Sequence, residues 1–63
     1  MKVNISKLER KRERLKMTRQ AFSVHLGMQE SNYAKILKYE TSTLKRLTRI
    51  GEILGIDPKE LLI

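Results

Sequence analysis

The side chains that could act as catalysts or metal ligands are few in this sequence, and none of them forms a recognisable pair. His25 is the one histidine, and the chain of 63 residues has no cysteine. Metal sites built on imidazole or thiolate need several such ligands at short spacing. The serines and threonines lack a paired base, and the seven acids form no dyad that spacing would reveal. The sequence therefore predicts no catalytic residue, metal site or cofactor, and we expect a protein that is not an enzyme.

The basic residues are more informative, because they are concentrated near the N-terminus. Residues 1–19 hold eight cations against Glu9 and Glu13, which gives +6 of the total formal charge of +7. This excess would make one side of a small globule strongly positive, and such a field attracts nucleic acid or an anionic membrane surface. The eight cations are Lys2, Lys7, Arg10, Lys11, Arg12, Arg14, Lys16 and Arg19.

Length and composition limit the elements that could position these residues. A chain of 63 residues supports one domain, residues 1–63, near the lower size limit for a self-sufficient core. The absence of cysteine fits a reducing compartment. No apolar run approaches the roughly 18 residues of a membrane span, and residues 1–5 lack the apolar stretch of a signal peptide. We therefore expect a cytoplasmic protein without a membrane partner.

Apolar periodicity predicts helices, and alternating β-branched runs are missing. Asn4 or Ser6 can cap a first helix over roughly residues 4–16, and Ser6 with Glu9 matches a capping box. The stem of Arg12 interrupts its apolar stripe. That stripe comprises four residues at helical spacing, namely Ile5, Leu8, Arg12 and Leu15.

Local start and stop signals divide the rest of the chain into four more helices. Thr18 starts the second helix, in which Phe22, Leu26 and either Val24 or Ser23 supply the packing, and Gly27 ends it. The third helix spans roughly residues 30–38, and the fourth spans roughly 44–54 and stops at Gly55. Asp57 and Pro58 then start a last short helix. The predicted apolar faces of these last three helices comprise Tyr33, Ile36, Leu37, Leu44, Leu47, Ile50, Ile53, Leu54, Leu61, Leu62 and Ile63.

The most informative unit is residues 19–38, which comprise helices two and three and the short turn between them. Two helices joined by a short turn containing glycine can place the second helix in a DNA major groove. The sequence resembles the lambda-repressor-like helix-turn-helix family, the Cro/CI or XRE type, over nearly the whole chain. The matching residues are Thr18, Arg19, Phe22, Ser23, Leu26, Gly27, Met28, Tyr33, Ile36, Leu47, Ile50, Gly51, Leu54, Gly55, Ile56 and the closing run 57–62.

The resemblance implies an all-α, compact five-helix domain that binds double-stranded DNA with its third helix. Lysine can donate to guanine, Gln or Asn can pair with adenine, Glu can accept from cytosine, and the Ala34 methyl can contact thymine. Arg19 and the loop after the third helix would bind phosphates. The residues implied are Arg19, Gln29, Glu30, Ser31, Asn32, Ala34, Lys35, Lys38, Tyr39, Thr41 and Lys45.

The sequence departs from the family pattern at three positions. Gln29 stands where Ser or Thr usually caps the third helix. Leu37 stands where many members carry a Glu that pairs with an arginine of the first helix. Arg12 matches that arginine, so it would need another carboxylate, such as Glu40, or would point to phosphate. Lys16 replaces the usual glycine after the first helix.

The function expected from the resemblance is sequence-specific regulation of transcription, most simply repression by operator occupancy. A homodimer, formed mainly on DNA, would pack Ile56, Leu61, Leu62 and Ile63 across a two-fold axis. Alternatively, Leu61 and Ile63 close the core of a monomer. No small-molecule ligand is expected.

Two other functions remain open from the sequence. The same fold can serve as a protein-interaction module, such as an antitoxin or a phage-encoded modulator. The basic first segment could also lie on a membrane surface, although its apolar stripe is narrow and has no Trp or Phe.

Overall fold

The computed structural model describes all of residues 1–63, which form helices and no β-strand. Its elements are α1 (Ile5–Arg14), α2 (Arg19–His25), α3 (Glu30–Tyr39), α4 (Leu44–Leu54) and a 3-10 helix (Pro58–Leu61). The predicted helical class is therefore confirmed. None of these elements has the length and apolar character needed to cross a membrane.

Short polar side chains start three of the α-helices, because each accepts a hydrogen bond from a backbone N–H that the helix leaves free. Asn4 caps α1, Thr18 caps α2 and Thr43 caps α4. The predicted capping box of Ser6 with Glu9 is not formed, because Asn4 takes the cap position and the Glu9 carboxylate binds Arg12 instead.

Residues in the left-handed backbone region end the helices where the sequence predicts turns. Gly27 and Gly55 have φ values of 74° and 70°. Lys16 also has a positive φ, 57°, although it is not a glycine, and α1 ends at Arg14, earlier than predicted. As a result Leu15, predicted on the apolar stripe, lies beyond the helix and is exposed.

Nine apolar side chains form one buried core. They are Val3, Leu8, Phe22, Leu26, Tyr33, Ile36, Leu47, Ile50 and Leu61. Ser23 is also fully buried, with its Oγ donating to the Gln20 carbonyl, whereas Val24 is exposed. Leu44 was predicted on the apolar face of α4 but is exposed, because it lies at the first position of that helix.

The first three residues lie between two distant parts of the chain, which the sequence does not predict. Val3 N–H donates to the Glu40 carbonyl, and Asn4 N–H donates to the Leu61 carbonyl. The Val3 side chain is fully buried. Leu62 is extended and pairs with Val3. This pairing takes the chain out of helical conformation after Leu61, so the predicted last helix is a four-residue 3-10 helix.

Candidate functional site

Helix α3 is held in place by its buried side. Tyr33 and Ile36 belong to the core, and Leu37 packs half-buried against it. The Tyr33 ring meets Phe22 of α2 edge-on, with ring centres 5.5 Å apart, which is a favourable aromatic geometry. These contacts fix the rotation of α3 about its axis and so determine which of its side chains are exposed.

The opposite side of α3 is polar and exposed. Ser31, Ala34, Lys35 and Lys38 lie at positions i, i+3, i+4 and i+7, so they form one stripe along the helix. Gln29 and Glu30 are exposed at its start, whereas Asn32 is half-buried. We call the exposed set the α3 face: Gln29, Glu30, Ser31, Ala34, Lys35 and Lys38.

The α3 face has almost no interactions within the protein. The side chains of Gln29, Glu30, Ser31 and Lys35 take part in none of the side-chain hydrogen bonds or ion pairs. The Lys38 ammonium lies 5.4 Å from the centre of the Tyr39 ring, within cation–π distance. Exposed donors and acceptors without internal partners are available to an external one.

The start of α3 differs from the other helix starts. Gln29 has the extended backbone of a cap residue, φ −76° and ψ 150°, but its side chain makes no capping hydrogen bond. Its carbonyl oxygen still accepts from the backbone N–H groups of Asn32 and Tyr33. Glu30 occupies the first turn, where a negative charge interacts favourably with the helix dipole.

Arg19 lies beside the α3 face. Its Nε is 3.5 Å from Glu9 Oε1, and its side chain is 61% exposed. Arg19 lines a groove of about 370 Å³ together with Glu30, Ala34 and Lys38. A ligand on the α3 face would therefore lie within reach of the Arg19 guanidinium.

The last three predicted residues follow the α3 face along the chain, in different settings. Tyr39 and Lys45 are exposed. Thr41 is also exposed, but its Oγ1 donates to the Met1 carbonyl oxygen at 3.0 Å. The Thr41 hydroxyl therefore binds the N-terminal segment, and unlike the side chains of the α3 face it already has a partner within the protein.

Two arginines of α4 were not among the predicted site residues. Arg46 and Arg49 line a cavity of about 240 Å³ with Lys45, Gly27 and Thr43. A Cβ atom on Gly27 would lie 3.5 Å from the Arg49 guanidinium, so this arginine lies against the turn between α2 and α3. The i, i+4 spacing of Lys45 and Arg49 was the available signal, but nothing local places that stripe beside Gly27.

One carboxylate, that of Glu9, joins α1 to α2 and α3. Its Oε2 accepts from Arg12 Nε at 2.8 Å, and its Oε1 accepts from the Tyr33 hydroxyl at 3.0 Å. Arg12 also donates to the Met17 carbonyl oxygen at 2.8 Å. The Arg12 guanidinium therefore pairs with another carboxylate, as the sequence predicts, but that carboxylate is Glu9 and not Glu40.

This cluster raises the pKa values of two of its side chains, those of Tyr33 and Arg12. Burial, followed by the negative charge of Glu9, raises the pKa of the Tyr33 hydroxyl above its ordinary value. The hydrogen bond to Glu9 raises the pKa of the Arg12 guanidinium. Both shifts favour the protonated forms, which are the forms that donate to Glu9.

Four other cations of the N-terminal segment line a second groove, between α1 and the 3-10 helix. Lys7 and Lys11 are half-buried, and Arg10 and Arg14 are exposed. The groove measures about 290 Å³. We call it the α1 groove: Lys7, Arg10, Lys11, Arg14, Ile56 and Glu60. It shares no lining residue with the groove beside the α3 face, so these four cations lie on a different surface from the α3 face.

The remaining candidates lie apart. His25 is exposed, with its ring centre 6.5 Å from that of Phe22. No three His, Cys, Asp or Glu side chains lie close enough together to hold a metal ion.

Comparisons with known protein families, with curated proteins and with solved structures found no match to this chain.

Proposed function

We propose that this protein binds double-stranded DNA sequence-specifically and regulates transcription, with α2 and α3 acting as a helix-turn-helix. One observation carries the proposal: the α3 face consists of exposed polar side chains without internal partners, on a helix whose other side is fixed by Tyr33 and Ile36. An α-helix fits the major groove of DNA, where such side chains can reach base edges.

Cations on neighbouring elements support the same function. Arg19 lies beside the α3 face, and Lys45, Arg46 and Arg49 lie around the turn that precedes α3. Side chains of this type contact phosphates and so fix the register of a recognition helix without reading sequence themselves. Occupancy of an operator by this domain would exclude polymerase, which makes repression the simplest regulatory outcome.

Two lysine variants test the assignment. A preferred site is first selected from a pool of random duplexes. Lys35→Ala is expected to lower affinity for the selected site by about 1–3 kcal/mol and to relax discrimination at one base pair, whereas Lys45→Ala should weaken binding to all sequences equally. Fluorescence anisotropy with selected and random duplexes measures both effects. Equal loss on both duplexes for Lys35→Ala would contradict the role given to α3.

Salt titration tests the electrostatic part independently. If one subunit neutralises about four to six phosphates, log K should fall against log salt with a slope of about 0.9 per phosphate. Lys45→Ala should reduce the slope by about one phosphate. No duplex binding at low salt would favour the alternative of a protein-interaction module.

We further propose that two copies bind adjacent half-sites. The largest extent of the domain is 24 Å, so one copy covers about seven base pairs of duplex. The expected apolar patch is smaller than the sequence indicates, because Leu61 is buried in the core and Leu62 is half-buried against Val3. Ile63 is 78% exposed and is the main apolar side chain left for a two-fold contact.

Sedimentation with a palindromic duplex measures the stoichiometry. Two subunits per duplex at saturation are expected, with half-sites about one helical turn apart. One subunit per duplex would exclude the dimer and leave DNA binding itself intact.

A further inference from the structure

We propose that the α1 groove is a docking site for an acidic segment of a partner protein, in which carboxylates surround one apolar side chain. This surface is not part of the proposed DNA interface. Its charge and shape both point to such a partner, and neither depends on the role of α3.

The four cations of the α1 groove form no ion pair within the protein. Every ion pair of the protein involves Arg12 or Arg19, so none of the four has a carboxylate within 4.0 Å. Their charges are therefore available to an external anion. The two half-buried lysines, Lys7 and Lys11, lie where an anion would be partly shielded from water, which strengthens its attraction to them.

The arrangement of these cations is unfavourable for α1 alone. Lys7 and Lys11 are four residues apart, as are Arg10 and Arg14, and like charges at this spacing repel one another on a helix. Lys7 also lies in the first turn, which holds no acidic residue, and a cation there opposes the helix dipole. A bound anion would offset both costs.

The remaining lining favours a peptide over nucleic acid. Ile56 contributes a half-buried apolar surface, and Glu60 places a carboxylate in the groove. A row of phosphates offers nothing to bury against Ile56, whereas Glu60 repels phosphates and carboxylates alike. In an acidic peptide, one apolar side chain can contact Ile56 while flanking carboxylates reach Arg10 and Arg14, whose guanidinium groups match carboxylates in bidentate geometry.

The dimensions suit a short segment. From residue 7 to residue 14 the stripe extends about 10 Å along α1, at 1.5 Å per residue. The groove of about 290 Å³ can accept one apolar side chain with its neighbours. Because the α1 groove and the α3 face share no residue, the protein could hold an acidic partner and a duplex at the same time.

The test uses the full chain and a fluorescein-labelled peptide in which four glutamates surround one leucine. A matched peptide carries serine in place of leucine. The groove variant is Arg10→Gln with Arg14→Gln, and its matched control on the other surface is Lys35→Gln with Lys38→Gln. Circular dichroism checks that both variants keep the helical fold. Each is measured with both peptides by anisotropy and with the selected duplex at the same salt.

The groove variant is expected to lower affinity for the leucine peptide by about tenfold and to leave duplex affinity within about twofold, with the α3-face control showing the reverse. The serine peptide should bind several-fold more weakly than the leucine peptide, and Glu60→Gln should raise peptide affinity.

No peptide binding to the natural chain, or equal loss of peptide binding in both variants, would overturn the proposal. A groove variant that loses duplex binding as strongly as the control would assign the four cations to nucleic acid instead. If the peptide results hold and duplex binding is absent, only the DNA proposal fails.

Discussion

The α3 face and the α1 groove are two polar surfaces of this small domain, and they differ in how their charges are arranged. The α3 face mixes donors, acceptors, a methyl group and both signs of charge on one helix. The α1 groove holds four cations around an isoleucine and a carboxylate. A mixed surface can discriminate between sequences, whereas a surface on which cations predominate mainly selects for opposite charge.

Glu9 explains why the two surfaces are separate. It neutralises Arg12, contacts Arg19 and accepts from Tyr33, so the inner side of α1 faces α2 and α3 through a hydrogen-bonded cluster. The unpaired cations of α1 lie in the groove on its other side, next to the 3-10 helix. A count of charge along the sequence cannot make this distinction.

The largest expected effect comes from removing this connection. Glu9→Ala should lower the free energy of unfolding by about 2 kcal/mol, chiefly because the hydroxyl of the buried Tyr33 loses its acceptor. Glu13→Ala is the matched control, since Glu13 lies on the same helix, is 70% exposed and only reaches 4.0 Å from Arg12. Urea denaturation of the two variants measures the difference. Equal stability would show that Glu9 does not connect α1 to α3.

The hydrogen bond between Tyr33 and Glu9 also makes the stability of the fold dependent on pH. Its raised pKa means that the folded protein keeps the hydroxyl proton at pH values where the unfolded chain loses it. Stability from this group is therefore fully present below pH 10 and falls above it, by about 1.4 kcal/mol per pH unit. Tyr33→Phe should remove this part of the pH dependence, and Tyr39→Phe, at an exposed tyrosine, should keep it. Identical profiles for the two variants would contradict this origin.

Adding a capping side chain at the start of α3 should change the free energy of unfolding by a smaller amount, and it should raise it. Gln29→Ser should raise the free energy of unfolding by about 1 kcal/mol, because the backbone already has cap geometry and only the side-chain acceptor is missing. Gln29→Ala should give no such gain. Thermal unfolding of both variants distinguishes a capping effect from a general change at this position.

The smallest expected effect concerns repulsion within the α1 groove. Lys7→Gln should stabilise the free protein by about 0.5 kcal/mol, since it removes two like-charge neighbours and a cation from the first turn. Lys11→Gln also removes two such neighbours but gives up a cation in the last turn, where the dipole favours it, so its gain should be smaller. A loss of stability on Lys7→Gln would mean that this lysine already has a favourable contact in the free protein.

The sequence by itself determined the helical elements, because their signals are local. Asn4, Thr18 and Thr43 cap helices within three residues of themselves, and Gly27 and Gly55 stop them through their own backbone angles. The polar side of α3 follows from helical periodicity in the same way. These features depend on neighbours along the chain and can be read without knowing the fold.

Only the tertiary structure decided which charges are neutralised and where the others lie. Glu9 matched a capping box in the sequence, but its partners include Tyr33, 24 residues away. Val3 is buried only because it pairs with Glu40 and Leu62, and the same pairing shortens the last helix. The physical reason is that each of these outcomes is a competition between contacts that chain folding brings together, and local spacing carries no information about which distant partner is nearer.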